Sequence, residues 1–291
     1  MSVEVDQEKW TRAQDFLQSR VSRETDSTAG KPLIELLLNV PGIFKLADVI
    51  TDPAKPASLG FWSQETPLAQ NAFEFAGLGI TAAVDGLMAL SCLVLKAQSI
   101  TPLGCFTLIR QVAENSVIAN WCLEKSDVQS LKIRGLAVSW DNMKEQSNFA
   151  NALGHQPYIE QVKLYRANLI ESARCASLYD FNKRGPIKTL EGFTELFKKI
   201  QFGNTSLEWF YRSLSGAAHG KAWTQLSLTE TSDVIEGTHH TDLGVPQSFG
   251  LMNMNPDVSL IAQWLEIALV LMNRAIETYI TTRNLPTPVN S

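Results

Sequence analysis

One apolar stripe near the end of the chain constrains the fold more than any other feature. Between Pro256 and Arg283, apolar residues recur three and four positions apart over about 24 residues. This spacing puts them on one face of a single long helix, which must pack that face against other elements. The stripe consists of Val258, Ile261, Ala262, Leu265, Ala268, Leu269, Met272, Ala275, Ile276, Tyr279 and Ile280.

Further helical patterns precede this helix, and most of them carry start signals. Pro102 and Pro157 suit the first turn of a helix, and Ser126 and Asp127 are N-cap residues. The links between the long patterns are short, which favours antiparallel neighbours. We therefore predict an all-α antiparallel helical bundle. The patterns cover residues 70–98, 102–125, 128–152, 157–181, 188–201 and 206–218.

The regions outside these patterns differ in amino-acid composition. Residues 1–70 contain an amphipathic pattern at 6–24 followed by many prolines, which break helices. We expect them to form an N-terminal wrapping extension, with a helical bundle domain over residues 71–284. Residues 221–255 are rich in Thr, Ser and Gly, and we expect a loop or a short-strand insertion before the last helix. Residues 285–291 should form a disordered tail.

The charge balance limits the classes of ligand. The chain has 25 Lys and Arg residues against 30 Asp and Glu residues, a net charge of −5. A generic binder of the nucleic-acid backbone relies on many basic residues, so that class is excluded, while a local basic patch is allowed. Candidates for such a patch are Lys132, Arg134, Lys144, Lys163, Arg166, Arg174, Lys183, Arg184, Lys198 and Lys199. They could bind a short RNA strand, or they could form an ordinary solvated helix face.

The N-terminus and the cysteines favour a cytoplasmic protein. The first ten residues, MSVEVDQEKW, are polar and acidic and do not resemble a secretory signal. Four cysteines occur singly in apolar surroundings, without the spacing of a zinc site. We expect them to be reduced thiols in the core. The cysteines are Cys92, Cys105, Cys122 and Cys175.

The strongly apolar segment at residues 72–97 is predicted to be a buried core helix. Glu74 and Asp85 interrupt it, and the uncharged apolar run from Gly86 to Leu95 is short. A membrane-spanning helix needs about 20 apolar residues. We therefore expect no membrane association.

Strong catalytic motifs are absent from the sequence. The patterns GxxxxGK[ST], GxGxxG, GxSxG and HExxH do not occur, and neither does an EF-hand loop. This argues against the commonest nucleotide-binding and hydrolase designs, and we expect no cofactor. His239, His240 and Asp242 could join His219 at a metal ion, but adjacent histidines rarely bind one ion with good geometry. A surface loop is the preferred interpretation, and no metal is predicted.

Two groups of residues carry the chemistry that the sequence does offer. Arg110 and Glu114 are four positions apart on an otherwise apolar helix, so they either form an intrahelical ion pair or the polar floor of a pocket. The segment from Tyr211 to Gly220 places Arg212 and His219 seven positions apart. On one helix they would share a face about 10 Å apart along the axis. Ser213 and Ser215 add hydroxyl groups.

The segment from Arg212 to His219 resembles the HEPN superfamily (higher eukaryotes and prokaryotes nucleotide-binding). An all-α bundle with an Arg, a gap of four to six residues and a His is typical of that superfamily, and the gap here is six. The helix LIRQVAENSVIANW at 108–121, followed by YRSLSGAAHG at 211–220, is also similar to uncharacterised bacterial all-α proteins. The resemblance covers residues 102–220 and leaves 1–70 and 221–255 outside it.

The resemblance implies a metal-independent endoribonuclease, as found in bacterial defence and stress systems. By that resemblance His219 is a general acid or base on the RNA, and Arg212 stabilises charge on the phosphate. Arg110, Glu114, Tyr211, Ser213 and Ser215 would support them. Many HEPN sites form across a homodimer, so RNA, a second copy of the chain and a protein partner are the expected partners.

Two alternatives stay open at the level of the sequence. The first is a non-catalytic helical module that binds a protein or a nucleotide, in which Arg212 and His219 are packed or paired. The second is an enzyme that acts on a small apolar substrate in an all-α cavity. The second lacks the DDxxD-type acidic pair that would hold a metal and a diphosphate.

Overall fold

The computed structural model describes residues 30–48, 54–56, 58–64, 66–97, 100–125, 127–221, 229–240 and 246–286. The predicted helix over residues 6–24 lies outside them, and so does Asp242.

The described chain is an all-α helical bundle with a β-containing insertion before the last helix, as predicted. Its helices are α1 (Gly30–Leu38), α2 (Val40–Ala47), α3 (Leu59–Ser63), α4 (Pro67–Ser91), α5 (Pro102–Leu123), α6 (Val128–Leu153), α7 (Gln156–Cys175), α8 (Phe193–Lys199), α9 (Glu208–Ala218) and α10 (Val258–Asn284). A π-helical turn, Cys92–Lys96, continues α4. The strands are β1 (Tyr179–Asp180), β2 (Gly185–Pro186), β3 (Gln201–Phe202), β4 (Thr205–Ser206), β5 (Thr229–His240) and β6 (Pro246–Pro256).

The described strands form antiparallel pairs, β1 with β2, β3 with β4 and β5 with β6. The register of the last pair runs from Thr229 opposite Pro256 to His240 opposite Pro246, with an irregularity between Thr231 and Asp233. The insertion therefore contains strands of 12 and 11 residues, longer than the short strands that the sequence predicted.

The chain divides into two compact units, each made of three separate segments. The first unit comprises Met1–Gly42, Asp85–Val112 and Ile200–Leu269, and the second comprises Ile43–Val84, Ala113–Lys199 and Val270–Ser291. The predicted division into an extension at 1–70 and a bundle at 71–284 stays a prediction.

An aromatic cluster lies at the centre of the first unit. Phe106 of α5 and Phe210 of α9 pack against Trp264 of α10, with ring centroids 5.0 Å and 5.6 Å from the tryptophan. Trp209 adds an edge-on contact at 6.1 Å. Phe106 and Phe210 are fully buried. This burial of aromatic surface holds α5, α9 and α10 together and so positions the side chains that α5 and α9 carry.

In the second unit, α6 and α7 form an antiparallel helical hairpin. Asp127 caps the start of α6, where its side chain accepts a 2.8 Å hydrogen bond from the Ser130 amide. The helix ends at Gly154 in the left-handed conformation, with φ at 68°. Gly135 in the middle of α6 permits close approach to α4, because a Cβ there would clash with the Leu68 carbonyl oxygen. The apolar core of this hairpin comprises Leu68, Leu136, Trp140, Met143, Leu169, Ala173 and Leu178.

Four sequence predictions need correction. The helix predicted over residues 188–201 is observed only over Phe193–Lys199, and Gln201–Phe202 after it pairs with Thr205–Ser206. Helix α7 ends at Cys175 rather than at 181, because Ser177 adopts a left-handed conformation and Tyr179–Asp180 pairs with Gly185–Pro186. Cys92 and Cys175 are exposed, so only Cys105 and Cys122 are the buried free thiols that we predicted. The predicted disordered tail is ordered at its start, where Pro286 forms an isolated antiparallel β-bridge with Ser58. Residues 287–291 lie outside the described residues.

Two described helices meet the length and composition of a membrane-spanning segment, namely Pro67–Lys96 and Val258–Asn284. Their most apolar windows are 39% and 61% buried within the structure. The first includes the segment at 72–97 that we predicted to be a buried core helix. The uncharged apolar run in this segment is short, but the mean hydropathy over an 18-residue window is 2.0 despite the acidic residues of the segment. Core helices of soluble proteins meet the same criteria, so the observation is weak evidence for a membrane.

Candidate functional site

His219 is held at the C-terminal end of α9 by a Schellman motif. Gly220 takes the left-handed conformation with φ at 63°. Its amide donates to the Ala217 carbonyl at 3.0 Å, and the Lys221 amide donates to the Gly216 carbonyl at 2.9 Å. Glycine adopts this conformation at the least cost, and the helix ends at Ala218 with His219 as its C-cap residue. The histidine backbone is therefore fixed, while its ring is exposed to solvent.

The imidazole of His219 contacts Arg110 of α5, in the same unit. Arg110 Nη1 lies 3.4 Å from His219 Nε2. An arginine N–H group can only donate a hydrogen bond, so His219 Nε2 is the acceptor in this contact. The Arg110 guanidinium carbon also lies 5.9 Å from the ring centroid of Tyr211. A cation over an aromatic face is stabilised by the ring quadrupole, so Tyr211 helps to orient Arg110.

Arg212, the arginine that the family resemblance places beside His219, pairs with Glu208 instead. Its Nε donates to Glu208 Oε1 at 2.8 Å, and Nη2 lies 2.7 Å from the same oxygen. The two residues are one turn apart on α9, which is the spacing of a helical ion pair. The Arg212 side chain is 61% exposed. Glu208 was not among the predicted site residues, although its four-residue spacing from Arg212 is visible in the sequence.

The remaining predicted residues lie on the same two helices. Ser213 and Ser215 are half-buried on α9, and the Ser215 carbonyl accepts the His219 amide at 3.1 Å. Glu114 is half-buried on α5, one turn after Arg110. The structure thus brings together Arg110, Tyr211 and His219 of the predicted set, and it directs Arg212 to Glu208.

The chemical capacity of the Arg110–Tyr211–His219 cluster is proton transfer next to a fixed positive charge. An imidazole ring can accept a proton at one nitrogen and donate one from the other. A guanidinium stabilises negative charge that develops on a phosphate oxygen. Both groups stand within reach of the same small volume, since their nearest atoms are 3.4 Å apart.

Two other predictions concern this part of the chain. The small residues Gly216, Ala217 and Ala218 were predicted to suit a close helix–helix contact between two copies. Gly216 and Ala217 are buried within the chain and so are unavailable as a dimer surface, while Ala218 is half-buried. The homodimer itself stays a prediction. His239 and His240 lie on β5, and Asp242 lies outside the described residues. Within the part of the chain that the structure describes, no three His, Cys, Asp or Glu side chains are grouped to hold a metal ion.

The predicted basic residues separate into different environments. Arg134 is 3% exposed, and its guanidinium donates to the Trp121 carbonyl and to Glu124, so its assignment to a basic surface was wrong. Its position on the inward face of α6 explains the error. Lys163 pairs with Glu160 on α7.

Arg174 stacks over Tyr179 and Phe181, with its guanidinium carbon 5.3 Å from each ring centroid. Lys144, Arg166, Lys183 and Arg184 line one groove of the second unit.

No family model, curated protein or solved structure matches this chain.

Proposed function

We propose that this protein is a HEPN-like, metal-independent endoribonuclease with His219 as its proton-transfer group. The observation that carries the proposal is the contact between Arg110 and His219, in which the Arg110 guanidinium also lies over the Tyr211 ring. A histidine at a rigid helix end, exposed to solvent and beside an oriented guanidinium, has the components of RNA cleavage without a metal. The resemblance of Arg212 and His219 to the superfamily motif supports the same conclusion.

The proposed reaction uses the 2′-hydroxyl of RNA as its nucleophile. A base takes the 2′-hydroxyl proton, the 2′-oxygen forms a bond to the adjacent phosphorus, and the bond from phosphorus to the 5′-oxygen breaks. An acid gives a proton to the departing 5′-oxygen. The products are a 2′,3′-cyclic phosphate and a 5′-hydroxyl. His219 would act as base or acid, and Arg110 would stabilise the charge on the phosphate oxygens, with Arg212 as a second cation on the same helix as His219.

The test is incubation of the purified protein in EDTA with labelled RNA and with DNA of the same sequence. We expect cleavage of the RNA only, because DNA lacks the 2′-hydroxyl. His219→Ala should lower the cleavage rate by at least about 100-fold, the usual contribution of a general acid or base. The matched control is His155→Ala, because His155 is exposed and its side chain does not cap α7. This control should cleave like the wild type.

A non-catalytic helical binding module is the second candidate. The observation that favours it is that Arg212 and His219 are both paired, the first with Glu208 and the second with Arg110. Intact RNA after incubation with pure wild-type protein would favour this module. Equal cleavage by the wild type and by His219→Ala would indicate a contaminating nuclease and would also contradict the ribonuclease proposal.

The proposed activity carries expectations for compartment and partners. RNA of the cytoplasm is the natural substrate of such an enzyme, so we place the protein in the cytoplasm within a bacterial defence or stress system. A homodimer or another protein partner would supply regulation. Sedimentation or light scattering of the active protein tests whether it is a homodimer.

A further inference from the structure

A basic groove lies in the second unit, whereas the residues assigned to catalysis above belong to the first. It has a volume of about 400 Å³, within the range of pockets that hold small ligands. Lys144 of α6 and Arg166 of α7 contribute to its wall, and the loop between β1 and β2 contributes Lys183 and Arg184. Four cations therefore meet on one concave surface in a chain whose net charge is −5. None of the described residues that line the groove is an aspartate or a glutamate.

The cations of the groove are largely uncompensated. Lys183 Nζ lies 3.6 Å from Asp180 Oδ2, which neutralises part of its charge. Lys144, Arg166 and Arg184 are exposed, and they form no ion pair with a carboxylate of the described residues. Like charges repel, so exposed cations gathered around one concavity favour the binding of an anion there. Ser147 and Asn148 add neutral hydrogen-bonding groups to the wall.

The loop between β1 and β2 is organised so as to present its side chains. The Asp180 carboxylate accepts hydrogen bonds from the amides of Asn182 and Lys183, at 2.9 Å and 3.2 Å. These bonds, the one from Lys183 above all, hold the pKa of Asp180 below its ordinary value. Arg184 adopts the left-handed conformation with φ at 51°, which is unfavourable for a residue other than glycine.

An exposed aromatic residue lies on the same loop as the groove cations. Phe181 is 69% exposed and packs edge-on against Tyr179, with ring centroids 5.3 Å apart. Arg174 stacks over both rings. A cationic groove beside an exposed aromatic face is the combination that binds single-stranded nucleic acid, because the cations contact phosphates and the ring stacks on a base. Phe181 does not line the groove itself, so it would stack on a base next to the phosphates that the groove holds.

We propose that this groove binds single-stranded nucleic acid, with Lys144, Arg166 and Arg184 contacting the phosphate backbone and Phe181 stacking on a base. The inference that single strands bind here depends only on the groove and Phe181. The further inference that RNA is the natural ligand depends on the proposed ribonuclease function, in which the groove would hold the substrate.

The test measures binding of a fluorescein-labelled 12-nucleotide RNA by anisotropy, using the His219→Ala full-length protein in EDTA. We expect Arg166→Gln to weaken binding several-fold and to reduce the slope of log K against log salt by about 0.7, the value for one phosphate contact on a single strand. Phe181→Ala should weaken binding by about 5-fold or more, the loss expected for one stacked base.

Arg184→Gly separates binding from folding. Glycine adopts the left-handed conformation freely, so this variant should weaken binding without lowering the melting temperature. Lys199→Gln is the control for a general loss of charge, because Lys199 is exposed, pairs with Glu191 and does not line the groove. Phe202→Ala is the control for an exposed aromatic residue on β3. Both controls should bind like the parent.

The outcomes distinguish this proposal from the ribonuclease proposal. Weaker binding in the groove variants alone supports the groove, even if wild-type protein never cleaves RNA. No binding of RNA, or equal binding by the groove variants and the controls, overturns it, even if cleavage is observed. Binding of heparin that matches the binding of RNA, together with no effect of Phe181→Ala, also overturns it, because the groove would then be a general polyanion site.

Discussion

Arg110 and His219 are 109 positions apart in the sequence, yet Arg110 Nη1 lies 3.4 Å from His219 Nε2. The contact exists because Phe106, one turn before Arg110 on α5, and Phe210 on α9 both pack against Trp264. The Schellman motif then stops α9 at the right residue to present the imidazole. The aromatic core of the first unit and the candidate site are thus parts of one arrangement.

The first prediction concerns which arginine stabilises the phosphate. Arg110→Gln should lower RNA cleavage by about 100-fold, the usual loss when one charge-stabilising donor is removed. Arg212→Gln should lower it by less than about 10-fold, because the Arg212 charge is already engaged by Glu208. Single-turnover cleavage rates of the two variants show which substitution causes the larger loss of activity. A larger loss in Arg212→Gln would show that the motif resemblance, and not the observed contact, identifies the catalytic arginine.

The second prediction concerns the buried Arg134 and its partners. Arg134→Met should lower the free energy of unfolding by about 1–3 kcal/mol, because it leaves the carbonyl of the buried Trp121 without a donor. Glu124→Gln should cost only about 1 kcal/mol, since that side chain is half exposed and keeps an acceptor oxygen. Urea unfolding measures both values. Lys163→Met is the control, because its ion pair with Glu160 is exposed. Equal losses in Arg134→Met and in this control would contradict the buried network.

The third prediction concerns the reactivity of the cysteines. Burial raises the pKa of the Cys105 thiol to about 11 and that of the Cys122 thiol to about 12. Both therefore stay protonated and shielded at pH 8, whereas Cys92 and Cys175 are exposed. A thiol reagent such as DTNB should titrate two thiols quickly in the native protein and four after unfolding.

Serine substitutions assign the fast thiols. Cys92→Ser should remove one fast equivalent, and Cys105→Ser should leave the fast count unchanged. Four fast equivalents in the native protein would mean that the helices around Cys105 and Cys122 open readily.

The fourth prediction concerns pH and the N-cap of α6. The hydrogen bond from Ser130 holds the pKa of Asp127 below its ordinary value of 3.8. A carboxyl with a lowered folded-state pKa stabilises the protein above its unfolded pKa, and the contribution is lost as pH falls through the folded pKa. The stability difference between wild type and Asp127→Asn should therefore be constant above about pH 5 and shrink below pH 3.8.

The alanine variant measures how much the N-cap contributes to the free energy of unfolding. Asp127→Ala should lower the free energy of unfolding by about 1 kcal/mol at pH 7, because asparagine can accept the Ser130 hydrogen bond and alanine cannot. Urea unfolding across the pH series measures both differences. A wild-type advantage over Asp127→Asn that grows as the pH falls would contradict the assigned cap.

Local chemistry made most of the helices predictable. The apolar stripe of α10, the cap at Asp127 and the left-handed Gly154 each depend on neighbours within about two turns, and such signals can be read along the chain. The end of α7 was predicted too late, because the left-handed Ser177 has no special residue type to signal it. The strands β5 and β6 were predicted to be too short, since a hairpin pairs residues on distant parts of a segment and its register is not visible in either strand alone.

The sequence by itself determined the fold class, the approximate positions of the long helices and the types of residue available for chemistry. Only the tertiary structure decided which of those residues meet. It paired His219 with Arg110, directed Arg212 to Glu208, buried Arg134 and gathered Lys144, Arg166, Lys183 and Arg184 around one groove. The physical reason is that periodicity and caps set where a helix runs, whereas its rotation and its neighbours follow from packing between residues far apart in the chain.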